Sequence, residues 1–191
     1  MRGGPFNVRK HPVPWGIPLL VIVAWRGAHT VVYSNPQYLF WLCYTANVLL
    51  CLGIFARSGL FVGAGFGWQL IAFPLWFYEA VRTSSLDPGC TVFHAAGLVI
   101  GAAAIRSFRL PKHTWAFSLA VAVCLQLCAR LFTDEPLNIN SAFRIYDGWE
   151  GLYPNYIVFH LSTLSVFGLA FAALTYLNNR YFARKDAPGD E

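Results

Sequence analysis

The chain has 191 residues, 57% of them hydrophobic and only 12% charged, with a formal net charge of +5. A soluble domain carries about twice that charged fraction, and the apolar residues here come in the long blocks that bilayer-spanning helices need, which excludes a water-soluble fold. The basic residues sit in short pieces beside those blocks and do not alternate with aromatics along a groove; this excludes nucleic acid as a partner and reads as a topology signal.

The start, MRGGPFNVRKHPVPWG, is basic and runs into an apolar stretch, as a secretory leader does. That stretch contains Arg26 and His29 and no small-residue cleavage site follows, so it is read as a first helix over about 15–33. The turn SNPQ follows, and Pro36 opens a second helix over about 37–56. ARSG punctuates the chain before a third helix over about 60–81, which holds Gly63, Gly65, Gly67 and, at Pro74, an expected kink. RTSSLDPG is a loop, the fourth helix covers about 91–107, FRLPKH is a basic loop, and the fifth helix covers about 114–132. The connection 133–155 is long for a compact protein, and loops of that length are commonly functional. Within it, NSAFRIYDGW spaces Phe143, Tyr146 and Trp149 by three, which predicts a short helix lying at the membrane interface. A sixth helix covers about 156–177 and a polar tail 178–191. The reading is an all-α integral membrane protein: one domain, 1–191, built as a compact bundle of about six transmembrane helices.

Five cysteines make an odd set, and Cys43, Cys51, Cys124 and Cys128 fall inside expected spans. No disulfide framework is expected, and Cys90 reads as an isolated loop thiol.

Charge sets the orientation. With both termini cytoplasmic and six crossings, Arg2, Arg9, Lys10, Arg57, Arg106, Arg109, Lys112, Arg180, Arg184 and Lys185 lie inside; only Arg82, Arg130 and Arg144 lie outside. That bias is the expected one for short loops. It places the chain in a plasma membrane, bacterial or archaeal, with an acidic outer face carrying Glu79, Asp87, Asp134, Glu135, Asp147 and Glu150.

The same topology collects the embedded polar residues toward the outer ends of the helices. Arg26, His29, Thr30 and Tyr33 fall there on the first helix; Cys43 and Asn47 on the second; Trp76 and Glu79 on the third. His94 lies near the start of the fourth, Gln126 and Arg130 near the end of the fifth, and Tyr156, His160 and Thr163 at the start of the sixth. Polar groups in hydrocarbon are costly, and their gathering at one depth predicts a polar cavity opening outward under a lid formed by 133–155. Gly97 and Gly101 share a face with His94, so His94 is expected to face another helix. Plainer roles compete: Trp76, Tyr156 and Arg130 as headgroup-level residues, Asn47 as an interhelical hydrogen bond, Cys43 as a small hydrophobe, and Arg26 paired with Glu79 to hold the bundle.

Such a layer suits an enzyme acting on a membrane lipid or an isoprenoid-like, apolar small molecule. Candidate catalytic groups are His94, His160 and Glu79 in acid–base roles, or Cys43 as a nucleophile with a histidine base. Arg26, His29, Asn47, Gln126, Arg130, Trp76 and Tyr156 would line the substrate site. Zinc held by His29, His94 and His160, with Glu79 nearby, is a further option, although no compact ligand spacing marks it. The alternatives are a small-molecule transporter or binding protein, and a subunit of a larger membrane complex with protein partners and a bound cofactor. FWLCYTANVLL and FHAAGLVIG resemble the pairing of a polar motif in the second helix with a histidine in the fourth seen in small bacterial integral membrane families; no function is carried over from those two pieces.

Overall fold

The computed structural model describes residues 13–182. The basic start and the last residues of the tail, with Arg184 and Lys185, lie outside the described residues. Six α-helices follow in order: α1 (Val13–Tyr33), α2 (Leu42–Ala56), α3 (Gly59–Arg82), α4 (Pro88–Ile105), α5 (Thr114–Phe132) and α6 (Tyr156–Leu177). Five of them are long and apolar enough to cross a membrane; α2, at 15 residues, is shorter. The chain is an all-α, multi-pass membrane bundle.

Side-chain contacts fix the helix directions. Between α2 and α3, Gly53 meets Val62, Leu50 and Ala46 meet Gly65, and Gln69 bonds the Cys43 carbonyl, so the pair is antiparallel. By the same logic α1, α3 and α5 run one way and α2, α4 and α6 the other: Gly16 meets Ile54 while Gly27 meets Tyr44, Phe66 meets Gly101 while Trp76 stacks on His94, and Leu119 meets Gly168 while Arg130 covers Tyr156. One end of the bundle therefore gathers 34–41, 83–87 and 133–155, and is called the polar end below. The other gathers 57–58, 106–113 and 178–182 and is called the basic end.

Helix α3 is the centre, packing on α2, α4, α5 and α6. Its glycines permit this: a Cβ on Gly65 would stand 2.6 Å from both the Ala46 carbonyl and the Leu50 amide nitrogen. Small residues at helix contacts let backbones approach, which drives association where lipid is as apolar as the side chains. One buried cluster, including Leu19, Leu50, Ile54, Val62 and Phe66, joins α1–α4 in the half nearer the basic end. Trp68 forms a second with Phe171, Ala46 and Ala122, its indole N–H donating to the Ser118 carbonyl at 3.2 Å.

Several expected boundaries change. The second helix does not begin at 37. Residues Pro36–Phe40 form a 3-10 turn, Trp41 is extended, and α2 starts at Leu42, whose N–H is taken by the Asn140 side chain at 2.8 Å. A side chain from the loop thus replaces the preceding helical turn as cap. Helix α4 starts at Pro88, not 91, because Asp87 caps it by accepting the Gly89 N–H and Pro88 fits the first helical position. Helix α3 runs unbroken through Pro74. The expected interfacial helix in NSAFRIYDGW does not form. Asn138, Asn140 and Ser141 are left-handed, and the Asn138 side chain accepts the N–H groups of Phe143 and Arg144, diverting them from helical partners. Asn178–Phe182 continue α6 as a π-turn, so the first part of the supposed tail is structured.

Candidate functional site

The polar residues do share one end of the bundle, but they form two clusters instead of one continuous lining. The first lies among α1–α4. The Arg26 guanidinium is 3.1 Å from the Asp87 carboxylate and donates to Cys90 Sγ at 2.8 Å. The expected Arg26–Glu79 pair is therefore corrected. Asp87 is the partner because α1 packs against α4, whereas Glu79 turns to Arg82 one helical turn along its own helix, at 2.6 Å. Burial raises the Asp87 carboxyl, but Cys90, the Gly89 N–H and Arg26 together outweigh it and hold the group below its ordinary range. Cys90 is likewise not an isolated loop thiol; it sits in the first turn of α4 between Arg26 and His94.

His94 is buried, and its ring stacks on Trp76 with centroids 4.9 Å apart and planes 15° from parallel. Its Nδ1 lies 3.0 Å from the Cys90 carbonyl. A carbonyl can only accept, so Nδ1 carries the proton, and in the neutral ring the lone pair is on Nε2. The fold thus fixes the tautomer of His94, with Nε2 as the acceptor nitrogen, one helical turn from Cys90, whose thiol Arg26 contacts.

Below His94, two fully buried amides bridge the helices. Asn47 donates to the Phe93 carbonyl at 3.3 Å, and Gln69 donates to the Cys43 carbonyl at 3.0 Å. Their oxygens, Asn47 Oδ1 and Gln69 Oε1, have no hydrogen-bond donor. Both amides press on Gly97: a Cβ there would stand 2.1 Å from Asn47 Oδ1. Asn47 is thus an interhelical tie whose oxygen is left facing a glycine, and Cys43 enters the cluster through its backbone.

The second cluster joins α5, α6 and the loop. Gln126 donates to the Asn140 carbonyl at 2.9 Å, and Arg130 donates to the Ala142 carbonyl and lies over the Tyr156 ring at 5.4 Å. The Tyr156 hydroxyl donates to the Ser141 and Ala142 carbonyls, and His160 stacks on Tyr156 at 5.8 Å. These polar groups fasten residues 138–142 over the helix ends. The second part of the loop is tied across to α3 by the Tyr146 hydroxyl, 3.4 Å from Glu79. Burial, with the Glu79 carboxylate beside it, pushes the Tyr146 phenol up to about 12.

The three histidines do not converge. His29 packs between Trp25 and Tyr33 on its own helix, His94 against Trp76, and His160 against Tyr156. Among the described residues no three His, Cys, Asp or Glu side chains are grouped to hold a metal ion, so the three-histidine zinc arrangement is not formed. Asp87, Cys90, Asn138 and Asn140 were missed from sequence. The signals for them were local: Asp-Pro at a helix start, Cys90 and His94 four apart on one helix face, and asparagines in a loop that demands left-handed backbone.

No protein-family model matches the chain, and neither a characterised protein nor a solved structure does.

Proposed function

We propose that the chain crosses a bacterial or archaeal plasma membrane six times, with both termini cytoplasmic, and that it is an enzyme acting on a lipid or isoprenoid-like substrate at the polar end. Helix α2 is the sixth crossing in this reading; its 15 residues span about 22 Å at ~1.5 Å per residue, short of a hydrocarbon core of about 30 Å, and the Pro36–Phe40 turn covers part of the difference at the polar end. The observation that carries the enzymatic reading is the His94–Cys90 bond, which leaves Nε2 as proton acceptor in a dry, aromatic setting. In this reading His94 removes a proton from the substrate, Arg26 draws in its anionic group, and Trp76 flanks the reacting portion. The lid is the second part of the loop, released when Tyr146 leaves Glu79. Cys43 and His160 take no catalytic part, and the loop cluster is structural.

Transport is the weaker reading, because apolar side chains from Leu19 to Phe66 fill the α1–α4 interior toward the basic end. The subunit reading draws on α6, which buries little of itself within the chain and exposes Ile157, Leu161, Val166 and Leu169.

The test is to purify the protein, identify co-purifying lipids by mass spectrometry, and incubate it with a total membrane lipid extract. Turnover abolished in His94→Gln, with lipid binding and thermal unfolding preserved, supports the proposal. Stoichiometric co-purification of a fixed protein partner, with no lipid converted, refutes it in favour of the subunit.

A further inference from the structure

The basic end holds an arrangement that the proposed chemistry does not use. The turn between α4 and α5 is held by side chains from the end of α6. Asn179 accepts the Leu110 N–H at 2.9 Å and donates to the Leu110 carbonyl at 2.8 Å; Asn178, fully buried, donates to the Phe108 carbonyl at 3.0 Å. A turn whose backbone groups are bonded in this way is a fixed platform. Arg106 and Lys112 stand exposed on it, and Arg180 follows the Asn178–Asn179 clamp directly. Among the described residues every acidic side chain belongs to the polar end, as do the three ion pairs, so no described carboxylate neutralises these cations.

Directly beneath the clamp, Gly63 of α3 faces Leu110 and Thr114, and one turn further along Gly67 admits the Phe171 ring. There a small, almost wholly apolar crevice of about 50 Å³ opens between α3 and α6, lined by Gly67, Leu70, Ile71, Ala170, Phe171 and Leu174. Leu174 and Asn178 are one turn apart, so the crevice begins ~6 Å below the clamp.

We propose that the platform and the crevice are one binding site for an anionic phospholipid. The phosphate group sits among Arg106, Lys112 and Arg180, and a short stretch of one acyl chain lies in the α3–α6 crevice. Cations at the membrane surface attract anionic headgroups, and polar headgroups cannot enter a groove with no polar lining. The two features are stacked along the helix axes in the order in which a lipid carries its own parts. A zwitterionic lipid would fill the crevice equally well but would bring a choline cation to a basic platform.

Native mass spectrometry of the full-length protein in detergent tests this, with phosphatidylglycerol and phosphatidylcholine of identical acyl chains added in competition. Retention of phosphatidylglycerol several-fold above phosphatidylcholine is expected. In the Arg106→Gln/Lys112→Gln double variant that preference should fall to near unity with total lipid retention little changed. Ala170 is exposed at the crevice edge, so Ala170→Leu should fill the groove without unfolding the bundle and should lower retention of both lipids. Glycerol phosphate, the headgroup without chains, should fail to displace phosphatidylglycerol. Equal retention of the two lipids by the native protein, a preference undiminished in the double variant, retention unaffected by Ala170→Leu, or displacement by glycerol phosphate would each overturn the proposal.

Discussion

The α2–α3–α4 centre and the α5–α6 pair treat buried polar groups in opposite ways. In the pair, Gln126, Arg130 and Tyr156 end on backbone carbonyls of the loop folded over them. The loop supplies acceptors that no helix partner requires, so those side chains are occupied by architecture. In the centre, the carbonyls available to Asn47 and Gln69 belong to helices, and the amide oxygens are left with no donor. His94, on the neighbouring helix, spends its Nδ1 proton on the Cys90 carbonyl of its own helix. The side chains that close the 133–155 loop end on its carbonyls, whereas Asn47 and Gln69, wedged between helices, each keep an unpaired oxygen.

The packing differs in parallel, and the largest expected effect exploits it. Gly65→Ala drives a methyl group into the backbone of α2, which cannot yield; a loss of ~3 kcal/mol or failure to accumulate is expected, since overpacking commonly costs 1–3 kcal/mol even where side chains can shift. Gly168→Ala meets only the Leu119 methyl at 3.3 Å and should fall within ~0.5 kcal/mol of the native protein, because the better helix propensity offsets the crowding. Thermal unfolding in detergent compares the two. Similar losses would remove the distinction between a tight centre and a loose pair.

Asn140→Ala removes the cap on α2 and the bond to the Phe40 carbonyl together, and should cost about 1–2 kcal/mol. It should also expose 133–145 to limited proteolysis, which Gln126→Ala should do less. Asp87→Asn should cost ~0.5–1 kcal/mol, the ion pair with Arg26 being half-exposed. The folded state holds the Asp87 carboxyl below its unfolded value, so its contribution is present above the ordinary carboxylate range and disappears as pH falls through it. The acid limb of a stability–pH curve should therefore flatten in Asp87→Asn. The smallest effect is Tyr146→Phe, about 0.5 kcal/mol for one long hydrogen bond. Its signature is the phenol titration: the raised Tyr146 group loses its stabilisation as pH climbs from about 10 toward about 12, and the ultraviolet transition near 12 should vanish in the variant. Hydrogen exchange should then show 146–152 opening faster while 134–142 stays protected.

Much of the bundle was legible because apolar block length and punctuation report membrane helices directly. The bounds expected for α5 and α6 are those observed, and the gathering of polar residues at one end followed from alternating helix direction. What failed depended on lateral neighbours or on local side-chain bonding. Periodicity places both Glu79 and Asp87 near the end of α1; only the α1–α4 contact selects Asp87 for Arg26. The spacing of Phe143, Tyr146 and Trp149 looks helical, but Asn138 captures the amides a helix would use. Three histidines at like depth looked convergent, yet each is claimed by an aromatic ring of its own surroundings.

The most direct measurement is lipid turnover by purified His94→Gln and His160→Gln beside the native protein, with thermal unfolding as the control for folding. The account predicts that His94→Gln loses turnover by at least about a hundredfold, the usual scale for removing a general base, while His160→Gln stays within a few-fold of native. Loss in His160→Gln with activity retained in His94→Gln would contradict it.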